Sequence, residues 1–168
     1  MKRSIIVGGI ALLLTLQMGT AGSLESLQDR VQKFCSQVDS GVSLKKLTMD
    51  EAVQALKSEG YRVTKVNDRK AKIKTDGRVL LLLQSKDGDF QMYYGASGVK
   101  ISYKDINTWN RKKRLSRAYL DSDGDPVLEF DLQADVGITP EQLLNFVKTF
   151  ASVSVPSYKD YLLEHDQK

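Results

Sequence analysis

The chain has 168 residues, with 25 Lys and Arg against 21 Asp and Glu, and a single Cys, His and Trp. One histidine and one cysteine are too few for a zinc site built from such ligands, and one cysteine excludes an internal disulfide. The formal charge of +4 shrinks once Lys2 and Arg3 are set aside, leaving 23 basic residues against 21 acidic, a balance that gives no argument for nucleic acid as a partner.

Met1-Lys2-Arg3 is a short positive region, followed by an apolar run from Ile5 to Leu16 and by small residues at Gly19-Thr20-Ala21-Gly22. This is the order of a secretory signal. The run falls short of the ~20 residues a membrane-spanning helix needs, and Gly8-Gly9 weaken it further. Residues 1–22 are therefore expected to be a signal peptide, cleaved after Ala21 or Gly22. The mature protein is then periplasmic or secreted, without a stable membrane anchor; a retained single span is the competing reading. Cys35 lies too far beyond the run to be a lipoprotein cysteine. It is either a buried apolar residue on a helix face or an intermolecular thiol, paired with another copy or an oxidoreductase.

Leu24, Leu27, Val31, Phe34 and Val38 recur at spacings of three and four, so residues 23–43 read as an amphipathic helix and a Ser40-Gly41 linker. Residues 44–168 read as one domain. Thr48 and Glu51 form a capping box for a helix that Gly60 ends. Strands follow around Val63 and around Ala71–Ile73, and Asp76-Gly77 signals a two-residue hairpin. Val79 to Leu83 is unbroken apolar sequence, as expected of a central strand covered on both faces or nearly so. Phe90, Met92 and Tyr94 alternate in a fourth strand of an antiparallel meander.

Ser102 caps a short helix carrying Ile106 and Trp109 and ending in Arg111-Lys112-Lys113-Arg114. A hairpin runs from Leu115 to Asp121 and from Val127 to Leu132. Pairing Leu120 with Leu128 gathers its apolar residues on one face and sets Arg117 opposite Asp131. Thr139-Pro140-Glu141-Gln142 starts the last helix, which Pro156 should kink or split. The fold class is α+β: an antiparallel sheet of about six strands, a four-strand meander plus a hairpin, packed by flanking helices.

The segments Ile106-Asn107-Thr108-Trp109-Asn110, Arg114-Leu115-Ser116-Arg117-Ala118-Tyr119-Leu120-Asp121, Asp123-Gly124-Asp125-Pro126-Val127-Leu128-Glu129 and Gly137-Ile138-Thr139 occur in that order. With them, the stretch from about Thr48 to Leu163 resembles a YbjN domain, a group labelled bacterial sensory transduction regulators. The resemblance implies a fold like that of type III secretion chaperones, often dimeric, and protein binding in place of catalysis. It carries over no catalytic residue. The signal peptide and first helix depart from plain members.

Candidate sites follow from residue type. Asp121, Asp123 and Asp125 cluster as in a calcium loop, but Pro126 stands where an EF-hand has glycine and Leu132 where it has glutamate, so a turn explains them better. Lys65, Lys70, Lys72, Lys74 and Arg78 read as a solvated basic stripe that could also meet an acidic protein or anionic lipid. Trp109 reads as a core anchor whose indole N–H needs a partner, and Asn110 as a junction residue bonding a strand carbonyl. Arg114, Arg117, Tyr119 and Asp131 complete the candidate binding or structural set, with Tyr93, Tyr94 and Tyr103 as alternative groove residues. His165 lies in an expectedly frayed tail, unsuited to a catalytic triad. Glu129 and Asp131 are the one carboxylate pair worth weighing, and they read as the outer face of a hairpin. The expectation is a non-enzymatic protein without cofactor or metal, acting through a homodimer or a protein partner. The alternative is a small-molecule or lipid sensor with a pocket between sheet and helices.

Overall fold

Thr48 opens the first helix of the domain, α1 (Met49–Ser58), through the expected capping box. Its hydroxyl accepts the Glu51 N–H at 3.2 Å, and the Glu51 carboxylate accepts the Thr48 N–H at 2.9 Å. Lys45 Nζ reaches the same carboxylate at 2.6 Å. The Lys45 hydrogen bond, with the Thr48 backbone next, lowers the Glu51 pKa from 4.5 to about 2. A carboxylate depressed in the folded state stabilises above its unfolded pKa and loses that contribution as pH falls through the folded value. Stability is therefore expected to decline between about pH 4.5 and 2, and Glu51→Gln to flatten that part of a urea-denaturation profile.

The computed structural model describes residues 45–167, together with Asp29, Val31 and Gln32, which are helical. The signal segment, the linker before residue 44, Cys35 and most of the expected first helix lie outside the described residues.

Four strands follow α1: β1 (Arg62–Asn67), β2 (Lys70–Thr75), β3 (Arg78–Gln84) and β4 (Phe90–Gly95). Then come α2 (Tyr103–Lys112), β5 (Arg117–Leu120), β6 (Pro126–Leu132) and a C-terminal helical run. All neighbouring strands pair antiparallel in the order β1-β2-β3-β4-β6-β5, which is the meander plus hairpin expected. Asp76 and Gly77 both have positive φ, 46° and 74°, and so make the mirror-image turn that suits the twist of a hairpin.

Alternate residues of each strand enter one core. Val63, Ile73, Leu80, Met92, Ala118 and Leu128 are buried there with Leu56 of α1, Trp109 of α2 and the C-terminal residues Leu143, Phe150 and Tyr158. Helices α1 and α2 and the C-terminal helical run thus pack on one face of the sheet. Against expectation, β3 is covered on that side only: Leu80 and Leu82 are buried, Leu81 and Leu83 are half-buried, and Val79 is 48 % exposed. An apolar run permits burial on both faces, but α1, α2 and the C-terminal run leave the second uncovered.

The last hairpin differs from its expected register by two residues. Ala118 pairs with Leu128, and Arg117 stands opposite Glu129 where Asp131 was expected. The turn decides this. The Asp121 Oδ1 accepts the N–H groups of Asp123 and Asp125, Asp121 N bonds Asp125 O, and Gly124 takes φ +79°. That closes a tight loop over Ser122, Asp123 and Gly124, shorter than the Leu120–Leu128 pairing implied. The carboxylates of Asp121 and Asp125 serve as backbone acceptors, Asp125 holding the Gly98 N–H.

The C-terminal run is α3 (Pro140–Thr149), a π-helical segment Phe150–Ser154, and α4 (Val155–His165). Pro156 lacks an N–H to continue the ordinary ladder. The helix widens just before it, with the Val155 N–H bonding Phe150 O, and continues without breaking. The tail is tied down, contrary to expectation: Lys100 N donates to Asp166 Oδ1 and Gln167 N to Lys100 O.

Candidate functional site

The face of the sheet opposite the helices is built by the remaining half of each strand. One row crosses all six strands: Thr64, Lys72, Leu81, Tyr93, Glu129 and Arg117 are successive cross-strand partners. Beside it runs Lys70, Leu83, Gln91 and Asp131. On its other side Arg62 and Lys74 lead to Val79, and Val127 leads to Tyr119. The face is therefore zoned. Basic side chains of β2 stand at one side, aliphatic ones of β3 and the Tyr93 ring at the centre, and the carboxylates of β6 at the other.

Glu129 is the unusual member, a carboxylate 7 % exposed on the open side of a sheet. A carboxylate out of water needs charge or hydrogen-bond partners. It has them in the Arg117 guanidinium and in the Tyr119 hydroxyl at 2.8 Å. Burial, and then the Glu129 hydrogen bond, push the Tyr119 pKa up to about 12; burial also raises that of Tyr93. Tyr119 is a neutral phenol that donates to Glu129 at ordinary pH. The Arg117 pKa is raised, chiefly by its hydrogen bond to Glu129. Asp131 takes a 2.8 Å bond from Gln91 Nε2 and lies 4.0 Å from Arg117. This set holds charges and rings in fixed positions.

The candidate residues divide between two places. Arg117, Tyr119 and Asp131 meet on the open face. Trp109 and Asn110 belong to the helix side. Trp109 is 1 % exposed, with ring centroids 4.8 Å from Tyr158 and 5.3 Å from Tyr161. Its Nε1 meets no acceptor among the described residues, so the expected partner for the indole is missing. Asn110 donates to Ala118 O at 2.9 Å and accepts the Ala118 N–H at 2.8 Å, copying a strand along the free edge of β5. Arg114 is exposed beyond the end of α2. Of the tyrosines, Tyr93 and Tyr119 share the open face, Tyr94 sits on the opposite one, and Tyr103 is 77 % exposed on α2. Lys70, Lys72 and Lys74 are on the open face, whereas Lys65 turns to Asp50 and Asp68. His165 stacks on Tyr161 at 4.0 Å and bonds its carbonyl through Nδ1, a fixed but isolated histidine.

Glu129 as the centre of the network was not foreseen. The signal for it was the alternation Val127, Glu129, Asp131 on β6 once the true register is known. Among the described residues no group of three metal-capable side chains converges, and no helix is long and apolar enough to cross a membrane.

Neither a search of curated proteins nor one of solved structures gives a match. A family model does match, over residues 48–160, and its description reads "YbjN: Putative bacterial sensory transduction regulator". That span runs from the Thr48 cap through both faces of the sheet into α4, and the chain belongs to the YbjN family.

Proposed function

We propose that this chain is an exported, non-enzymatic regulatory module that binds protein, and that it does so through the open face of its sheet. The observation carrying this reading is the row Lys72–Leu81–Tyr93–Glu129–Arg117, an apolar centre between charged residues that α1 to α4 leave uncovered. Interfaces are built in that way, with an apolar core and a polar rim. Export rests on the segment from Met1 to Gly22, and intact-mass measurement of the protein recovered from cells is expected to find a chain beginning at Gly22 or Ser23.

The sensor alternative needs an internal void. Leu56, Ile73, Leu80, Leu82, Met92, Leu128 and Phe150 fill the space between sheet and helices. The described clefts, of about 400, 290 and 480 Å³, lie at the rim, at the start of α1, at the α1–β1 corner and beside Gln91 and Asp131. Protein docking is thus the better supported of the two.

The test is crosslinking in cells followed by capture of the tagged protein, wild type against Leu81→Asp. Leu81 is half-buried on the open face, so a charge there disturbs the docking surface more than the core. Loss of the adduct with a normally folded variant supports the reading. An adduct indifferent to Leu81 would refute it.

A further inference from the structure

The charges on the open face are unequally paired. On β6 and β5, Glu129 is held by Arg117 and the Tyr119 hydroxyl, and Asp131 accepts from Gln91 Nε2. On β1 and β2 the same face carries Arg62, Lys70, Lys72 and Lys74, and none of these pairs with a carboxylate among the described residues. Lys65, on the other face of β1, does pair, with Asp50 and Asp68. Glu59 and Asp76 line a rim cleft with Arg62 and Lys74 but form no ion pair with them. With Arg117, five strand cations stand on this face against the two carboxylates of Glu129 and Asp131, in a chain whose overall balance is nearly even. Next to the four on β1 and β2, Val79 is 48 % exposed and Leu81 is half-buried.

We infer that the occupant of the open face is an acidic segment of another protein, its carboxylates over β1 and β2 and its apolar side chains over Val79, Leu81 and Tyr93. This rests on the proposal that the face docks protein, and it gives the partner's chemistry. Alternate residues of a strand lie ~7 Å apart, so Lys70, Lys72 and Lys74 make a row of cations at that interval, with Arg62 across the ladder from Lys74. A segment whose carboxylates recur at a similar interval meets the row with opposite charge at each step, which favours encounter and excludes basic partners. An anionic membrane offers the sign without the pattern. It would press Asp131, whose side chain is 57 % exposed on the same face, against phosphates of like charge. Leu81 and Leu83 also lie in the floor of the sheet, shorter than the lysines beside them, where a flat lipid surface gains little from them. A protein segment, by contrast, is free to be acidic over β2 and apolar over β3 and β4.

The test places a photoreactive amino acid at Thr64 of the full chain in cells and identifies the crosslinked segment by mass spectrometry. Thr64 is exposed on the open face opposite Lys72, so the lysines stay intact. The segment is expected to be richer in Asp and Glu than in Lys and Arg. The adduct is expected to fall about tenfold with Lys72→Glu and Lys74→Glu together, and to persist with arginine at both positions. Both lysines are exposed and unpaired, so an unchanged urea midpoint separates lost binding from lost folding. Reversal of Lys104 and Lys112, exposed on α2, is expected to leave the adduct unchanged and so to exclude an effect of net charge alone. A neutral or basic segment, a lipid adduct, a second copy of this chain, or an adduct indifferent to the reversal overturns the inference. No adduct from Thr64, with a Leu81-dependent adduct still present, overturns the acidic occupant and leaves the docking face standing. Adducts that ignore both the lysines and Leu81 overturn both.

Discussion

Trp109→Ala is expected to cost about 3–5 kcal/mol, enough to leave the domain largely unfolded at moderate urea. Trp109 is fully enclosed, with its ring against Tyr158 and Tyr161 and the Lys113 ammonium 5.3 Å above it. Truncation leaves a cavity where α2, the sheet and α4 meet. The indole N–H is bonded to no described acceptor, so Trp109→Phe removes volume but no hydrogen bond and is expected to cost only about 1–2 kcal/mol. Urea midpoints of the two variants check this. Equal losses would mean that the N–H does have a partner, and a small loss for the alanine variant would mean that the side chain is not in the core.

Asn110→Ala is expected to cost about 2–4 kcal/mol through a different route. Ala118 turns its N–H and C=O away from β6, toward α2, and Asn110 satisfies both. Alanine strands two polar backbone groups of a buried residue and frees the edge of β5. Asn110→Asp keeps an acceptor for the N–H but sets a carboxylate against the Ala118 carbonyl, so it should be no better than alanine. Faster amide exchange at Ala118 in both variants, with α1 and the meander unchanged, would locate the loss at this junction. Unchanged exchange there would contradict it.

The local features of this fold were legible because they depend on a few adjacent residues. The Thr48–Glu51 box, the Ser102 cap, the Thr139–Pro140–Gln142 start and the Asp76-Gly77 turn need no distant partner. The hairpin register was not legible in the same way. A slip of two residues leaves every side chain on its own face, so the apolar pattern of Ala118, Leu120, Leu128 and Phe130 cannot detect it. Only the bonding of Asp121 to Asp123 and Asp125 distinguishes the two registers, and it does so in three dimensions. The consequence reached the site: with Arg117 assigned to Asp131, nothing marked Glu129 as the carboxylate to be satisfied.

Exposure was the other obstacle. The run Val79-Leu80-Leu81-Leu82-Leu83 records that the strand can be buried on both faces, not that anything in the same chain buries it. Its half-exposed residues, Leu81 and Leu83, became recognisable as a surface only beside Tyr93, Gln91 and the lysines of β2. Trp109 and Asn110, adjacent to one another, divide between filling the core and closing an edge, a division that helix periodicity allows but does not assign.

The most direct measurement places a photoreactive amino acid in cells at Leu81, on the open face, and separately at Val153, exposed on the helix side. Docking through the sheet predicts a discrete protein adduct from position 81 and none from 153. An adduct from 153 alone, or equal diffuse labelling from both, would contradict it.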